Sequence, residues 1–281
     1  MISVEPSGAP CGAIIHGVDL STDLSAQTVA EIRAIWLEHL VVAFPDQHLS
    51  ADQFEKVALH FGEFGQDPYF KGLADHPHIA EVKREADEQT PLFAEGWHSD
   101  WSFLSTPPSG TLLYGRIIPP TGGDTLYANQ YAAYDALDAA MKSQLEGLQG
   151  IHSARRGYSK AGQYGEKDVG RSMSIVYSDD ALATQNHPLV QRHPETGRPA
   201  LFLSPGYTIA IEEREGMDAT EAQELLVFLY AHQAKEEFVY RHRWAENMLT
   251  MWDNRSVIHA ATGGYQGHRR LLERITITSR A

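Results

Sequence analysis

The chain of 281 residues has a single cysteine, Cys11. An intramolecular disulfide is therefore excluded, as are zinc sites built on several thiolates. Basic residues are scarce: 23 Lys and Arg stand against 37 Asp and Glu, a formal charge of −14. A nucleic-acid-binding surface needs a basic stripe, which this balance argues against, although a local group of arginines can oppose the global sign. Long apolar runs are missing too. None approaches the roughly 20 residues that span a bilayer, and the opening "MISVEPSGAPCGAIIHGVDL" has Glu5 and two prolines where a signal peptide would have an apolar core. No repeat, linker or low-complexity tract is visible. The expectation is a soluble, reducing, cytoplasmic protein forming one domain over 1–281, and 42% hydrophobic residues suffice for its core.

Several periodic segments stand out. Residues 25–40 place Val29, Ile32, Ile35, Trp36 and Leu40 on one helical face behind a Ser25 cap. "VVAF" at 41–44 reads as a short strand, and 50–62 as a second capped helix closed by Gly62. Strand signals follow at 78–85, 109–119 and 124–130, then a helix-like piece over 130–148. Residues 153–185 are polar and glycine-rich without a clear period; inside a compact domain such a stretch is more often a functional lid than filler. Strands resume at 187–204 around a "PETGRP" hairpin turn, and a helix spans 219–235. The end reads as two strands around a glycine-rich connection. Many strands with a few helices outside them imply a mostly-β (α+β) barrel or sandwich flanked by helices.

Fourteen histidines make an isolated one weak evidence for a metal. "GWHSDWSF" at 96–103 is more pointed. In an extended chain side chains alternate faces, so His98 and Asp100 would point the same way, while Trp97, Trp101 and Phe103 could dry the site. "HPH" at 76–78 is a rival pair, but its Pro77 ahead of a strand suits a solvated turn. His259 is the best third ligand: it ends the apolar "SVIH", and the small residues of "AATGG" leave room beside its imidazole. Two histidines and one carboxylate on one face of an octahedron form the non-heme iron(II) arrangement, with three positions open. Zinc could bind the same set. Downstream, "HRRLLERITIT" as a strand would put Arg270, Leu272, Arg274 and Thr276 on one face. Guanidinium groups inside a barrel need anions, internal or bound, and their planar fork suits carboxylates.

The segments "WHSDWSF" (97–103), "GGDTLYANQYAAYDAL" (122–137), "HPLVQRHPETGRPALFLSPGY" (187–207) and "MWDNRSVIHAATGGYQGHRRLLERITI" (251–277) resemble, in this order, the TauD/TfdA family of Fe(II)- and 2-oxoglutarate-dependent dioxygenases. The resemblance implies a double-stranded β-helix, or jelly roll. It implies iron held by His98, Asp100 and His259, and 2-oxoglutarate whose distal carboxylate meets Thr125 and Arg270. Dioxygen is then used to hydroxylate a C–H bond of a small organic acid, with succinate and CO2 released. The acid would be a sulfonate, a sulfate ester or a carboxylate such as an aryloxyalkanoate, its anion meeting Arg274. Asp67 stands where taurine dioxygenase has a sulfonate-binding histidine, and Ala94 where it has a polar residue, which argues against taurine. Asp67 is expected to cap a turn or, failing that, to pair with a cationic substrate group. Tyr207 is expected to line the pocket or to belong to the core. The resemblance also implies a homo-oligomer, a dimer or tetramer. A zinc hydrolase could use the same three ligands but would not need Thr125 and Arg270 placed for a dicarboxylate, and a non-catalytic small-molecule-binding barrel would have no reason to keep the complete ligand set.

Overall fold

The computed structural model describes residues 1–212 and 216–279. In chain order the strands are β1 (Ser3–Pro6), β2 (Ala13–His16), β3 (Val41–Phe44), β4 (Glu63–Phe64), β5 (Ala80–Arg84), β6 (Gly110–Ile117), β7 (Thr125–Asn129), β8 (Gln149–His152), β9 (Gln185–Pro188), β10 (Val190–Arg192), β11 (Pro199–Leu201), β12 (Thr208–Ile211), β13 (Val239–His242), β14 (Leu249–Asp253), β15 (Val257–Ala261) and β16 (Arg270–Thr278). The α-helices are α1 (Ala26–His39), α2 (Ala51–Phe61), α3 (Gln130–Asp135), α4 (Ala139–Leu145), α5 (Arg155–Tyr158) and α6 (Ala219–Gln233).

An eight-stranded sheet, ordered β1-β2-β3-β14-β6-β16-β4 with β5 on β16, lies opposite a three-stranded sheet, β13-β7-β15. Tyr127 and Val257 of the small sheet share one buried cluster with Leu113, Trp252 and Leu272 of the large one, so the two sheets enclose a common interior. This is a jelly roll, mostly β with flanking helices and without a closed barrel. On its outer face the large sheet is covered by α1 and α2, as the sequence periodicity predicts. Ser25 caps α1 by accepting from Thr28 N, and Ser50 with Gln53 forms a capping box on α2. Ile32, Trp36, Phe54 and Phe61 then bury against Ile275 and Ile277.

The last strand carries this logic to the interior. Ile275 and Ile277 face the helices, which turns Arg270, Leu272, Arg274 and Thr276 inward, all of them buried. A buried stripe bearing two guanidinium groups costs stability unless anions meet it, so this face marks a functional interior.

Two sequence expectations change. The helix-like stretch 130–148 is two helices, because Asp138 accepts from Met141 N and starts α4 afresh. The expected terminal pair of strands is three. After β14, Asp253 accepts from Arg255 N at 2.8 Å and Ser256 N bonds Asp253 O at 3.1 Å, a tight turn that carries the chain into β15 of the other sheet. Among the described residues no helix is long and apolar enough to cross a membrane.

Candidate active site

His98 does not sit on a regular strand. It forms a single antiparallel bridge with His259, in the middle of β15: His98 N donates to His259 O at 2.9 Å and His259 N to His98 O at 2.8 Å. The backbone thus holds two imidazoles from distant parts of the chain side by side. The alternation expected for "HSD" holds across this bridge: Ser99 Oγ points away and donates to Asn254 O at 2.8 Å, while Asp100 returns toward the histidines. His98 Nε2 and His259 Nε2 each lie 3.8 Å from Asp100 Oδ1, and the three donor atoms fall within 4.8 Å of one another. His98 Nδ1–H donates to Gly96 O at 2.9 Å, which leaves Nε2 as its inward nitrogen.

The chemistry of the donor set suits a divalent cation. Burial pushes His259 down to about 3 and also lowers His98, so both imidazoles are neutral and offer lone pairs. Burial alone would raise Asp100, but the Arg274 guanidinium, with the hydrogen bond from Thr111, outweighs it and holds the carboxyl well below the usual carboxylate range. Asp100 Oδ2 accepts from Thr111 Oγ1 at 2.6 Å, and Asn254 Nδ2 donates to that hydroxyl at 2.8 Å. Thr111 and Asn254 are functional neighbours that sequence reading missed; only their distance from Asp100 in space reveals them.

Beside the cluster lies a cavity between the sheets, lined by Thr125, Leu113, Trp252, Leu272 and the inward arginines. Arg270 is 6% exposed; its Nη2 donates to Gly123 O at 3.0 Å, and its Nε has no partner. Gly123 has φ +71°, and a Cβ there would come within 3.1 Å of Arg270 Nε, which gives the "GGDT" turn a structural reason. Thr125 Oγ1 accepts from Trp244 Nε1 at 3.0 Å.

Arg274 is differently placed. It lies against the rings of Trp101 and Phe70, at 4.8 and 5.0 Å, and its Nη2 is 3.1 Å from Asp100 Oδ1. Its Nη1 pairs with Asp67. The Asp67 carboxylate also accepts from Trp101 Nε1 at 2.6 Å and from Thr276 Oγ1 at 3.2 Å. Asp67 therefore departs from both expectations: it holds side-chain donors rather than turn amides, and it stands behind Arg274 rather than at the cavity wall. The reason is proximity in the fold, since an unpaired guanidinium this deeply buried would be costly. Tyr207 lines the cavity and packs edge-on to His98, with ring centroids 6.1 Å apart.

Residues 153–185 hold α5 and pack Tyr158 and Tyr164 into an aromatic cluster with Trp101 and Tyr207. Tyr158 and Arg171 from this segment line the cavity. Tyr164 OH accepts from Ala94 N at 3.2 Å, tying the segment to the loop before His98. The rival pair at 76–78 is superficial: His76 bonds Glu55 of α2 at 3.0 Å.

A jelly roll with this His-Asp-His cluster beside a buried arginine that has no acid partner among the described residues is the framework of an Fe(II)- and 2-oxoglutarate-dependent dioxygenase, an oxidoreductase that uses O2. Comparison with known proteins agrees: the model of the family described as "Taurine catabolism dioxygenase TauD, TfdA family" matches residues 3–276, and the chain belongs to that family. It is 34% identical over 272 residues to the (S)-phenoxypropionate/alpha-ketoglutarate-dioxygenase of Delftia acidovorans, covering 92% of this chain and 89% of that protein. The alpha-ketoglutarate-dependent 2,4-dichlorophenoxyacetate dioxygenase of Cupriavidus pinatubonensis is 34% identical, covering 93% of this chain and 92% of its own length. Among solved structures, a taurine dioxygenase from Burkholderia xenovorans superposes with a TM-score of 0.79 at 32% identity, covering 99% of this chain and 91% of that one. The structure of AAD-2 with Mn(II) and N-oxalylglycine, an analogue of 2-oxoglutarate, gives 0.79 at 29% identity, covering 100% and 98%.

Proposed function

We propose that His98, Asp100 and His259 hold the iron, that Arg270 and Thr125 receive the far carboxylate of 2-oxoglutarate, and that the enzyme hydroxylates a C–H bond of a small organic acid. One observation carries the cosubstrate assignment. Five cationic side chains line the cavity: Lys83, Arg84, Arg171, Arg270 and Arg274. Four pair with acids, Lys83 with Glu81, Arg84 with Glu88, Arg171 with Asp168 and Arg274 with Asp67. Arg270 alone has no acid partner among the described residues, so it is the cation that a bound carboxylate would satisfy.

The iron, when bound with 2-oxoglutarate and dioxygen, supplies the oxidising power for hydroxylation, with succinate and CO2 as co-products. The protein's residues bind and orient. Trp244 Nε1–H occupies an acceptor site of the Thr125 hydroxyl, leaving that hydroxyl's own hydrogen free for the cosubstrate carboxylate. Thr111 and Asn254 fix the rotamer of Asp100, and Gly96 O fixes the His98 tautomer. Phe70, Trp101, Tyr158 and Tyr207 form an apolar wall that keeps water from the reacting centre. Residues 153–185 serve as its lid, a reading supported by Tyr158 and Arg171 in the cavity wall.

The substrate class follows the two relatives above, whose names specify the aryloxy acids (S)-phenoxypropionate and 2,4-dichlorophenoxyacetate. A cytoplasmic homo-oligomer without nucleic-acid or membrane partners completes the proposal; the acidic composition supports only the part on nucleic acid, and light scattering tests the oligomeric part. The central test is spectroscopic. Anaerobic protein with Fe(II) should gain a weak visible charge-transfer band on adding 2-oxoglutarate, and His98→Ala should lose it. Iron-competent wild-type protein without the band would sink the assignment.

A further inference from the structure

We propose that Asp67 is a specificity determinant: it occupies Arg274 from within the protein, so the substrate presents an uncharged end to Arg274 and carries its acid group at the opposite, outer end. The proposal rests on the dioxygenase reading above and specifies how its cavity sorts substrates.

Arg274 is 4% exposed and contacts two carboxylates, Asp67 through Nη1 and Asp100 through Nη2 at 3.1 Å. Asp100 also serves the iron in the holoenzyme, so Asp67 is the acid left to Arg274 itself. An anion brought to this guanidinium would have to displace Asp67, which Trp101 Nε1 (2.6 Å) and Thr276 Oγ1 (3.2 Å) also hold in place. Displacement would leave those donors buried and unsatisfied, which is the costly half of breaking such a network. No other cation of the cavity is available, because Arg270 is the one free of acids and the cosubstrate claims it. The wall that remains beside Arg274 is aromatic: Phe70, Trp101, Tyr158 and Tyr207. It suits the apolar body of a substrate and a neutral acceptor such as an ether oxygen, not a compact sulfonate or carboxylate. Shape and charge thus point to an elongated acid that enters apolar end first.

The experiment compares phenoxyacetate with its neutral isostere phenoxyacetamide, and ethanesulfonate as the compact anion, in the holoenzyme with Fe(II) and 2-oxoglutarate. Succinate release gives KM and kcat for each. Wild-type enzyme should accept phenoxyacetate, whose carboxylate can lie outward, about as well as phenoxyacetamide, and respond poorly to ethanesulfonate. Asp67→Asn keeps the shape and the Trp101 bond while removing the charge. It should lower the KM for both anions about tenfold or more, the worth of one charge-assisted hydrogen bond passing to the ligand, with the amide unchanged. Asp67→Glu should keep the wild-type ranking, and Asp67→Asn with Arg274→Gln should lose the gain. The proposal fails if wild-type enzyme takes ethanesulfonate as readily as phenoxyacetate, or if Asp67→Asn changes anion and amide alike or weakens the anions. Retention of the 2-oxoglutarate charge-transfer band in each variant separates these outcomes from a failure of the dioxygenase assignment itself.

Discussion

Replacing Arg270 by Met should make the free protein more stable while destroying its affinity for 2-oxoglutarate. Stability and function pull in opposite directions at this residue. The guanidinium is 6% exposed, makes one hydrogen bond, to Gly123 O at 3.0 Å, and leaves Nε unpartnered. Its remaining neighbour is the ring of Tyr265, 5.8 Å from the guanidinium carbon, a weak contact. Taking an ion into such a place costs several kcal/mol, and nothing among the described residues repays it in full. Methionine fills similar volume without a charge, so a gain of about 1–3 kcal/mol follows, which at about 2–4 °C per kcal/mol is visible in a melting curve. The cosubstrate loses its charged partner, a truncation worth about 2–5 kcal/mol, or about 30-fold to a few thousand-fold in affinity. Scanning calorimetry with and without 2-oxoglutarate reads both quantities. Wild-type protein should melt higher with the ligand by mass action, and Arg270→Met should melt higher without it and ignore it. A variant that melts below wild-type, or that keeps the ligand-induced shift, would refute the reasoning.

Thr111→Val removes the donor to Asp100 Oδ2 without changing side-chain size; metal affinity, read by Co(II) titration, should fall about 10–100-fold. The same change strands Asn254 Nδ2, whose acceptor was the Thr111 hydroxyl, so stability should fall by about 1–3 kcal/mol in urea unfolding. Shortening the loop around Val169, which is 81% exposed at the far side of segment 153–185, should leave 2-oxoglutarate consumption in place but release succinate in excess over hydroxylated product. Unchanged coupling would remove the lid reading.

Local rules made much of this protein readable from its residues. The faces of α1 and α2, their Ser25 and Ser50 caps and the alternation along β16 are consequences of chain geometry and hydrophobic period, which act over a few residues. The residue types of the His-Asp-His cluster were legible for the same reason: "HSD" presents a histidine and a carboxylate to one side. Its closure was not a local matter. His98 meets His259 only because β15 crosses into the small sheet after the Asp253 turn, a break that apolar periodicity does not signal. The partner of Arg274 escaped for a related reason. Asp67 lies in an irregular loop with no period to read, and "GQDP" looks like a turn. Sequence by itself determined the helices, the strand faces and the chemical kinds of the ligands, since these follow from contacts between near neighbours in the chain. Tertiary structure alone decided which buried charges find each other, because desolvation makes every buried guanidinium depend on whichever carboxylate the fold brings within reach: Asp67 for Arg274, and none for Arg270 among the described residues.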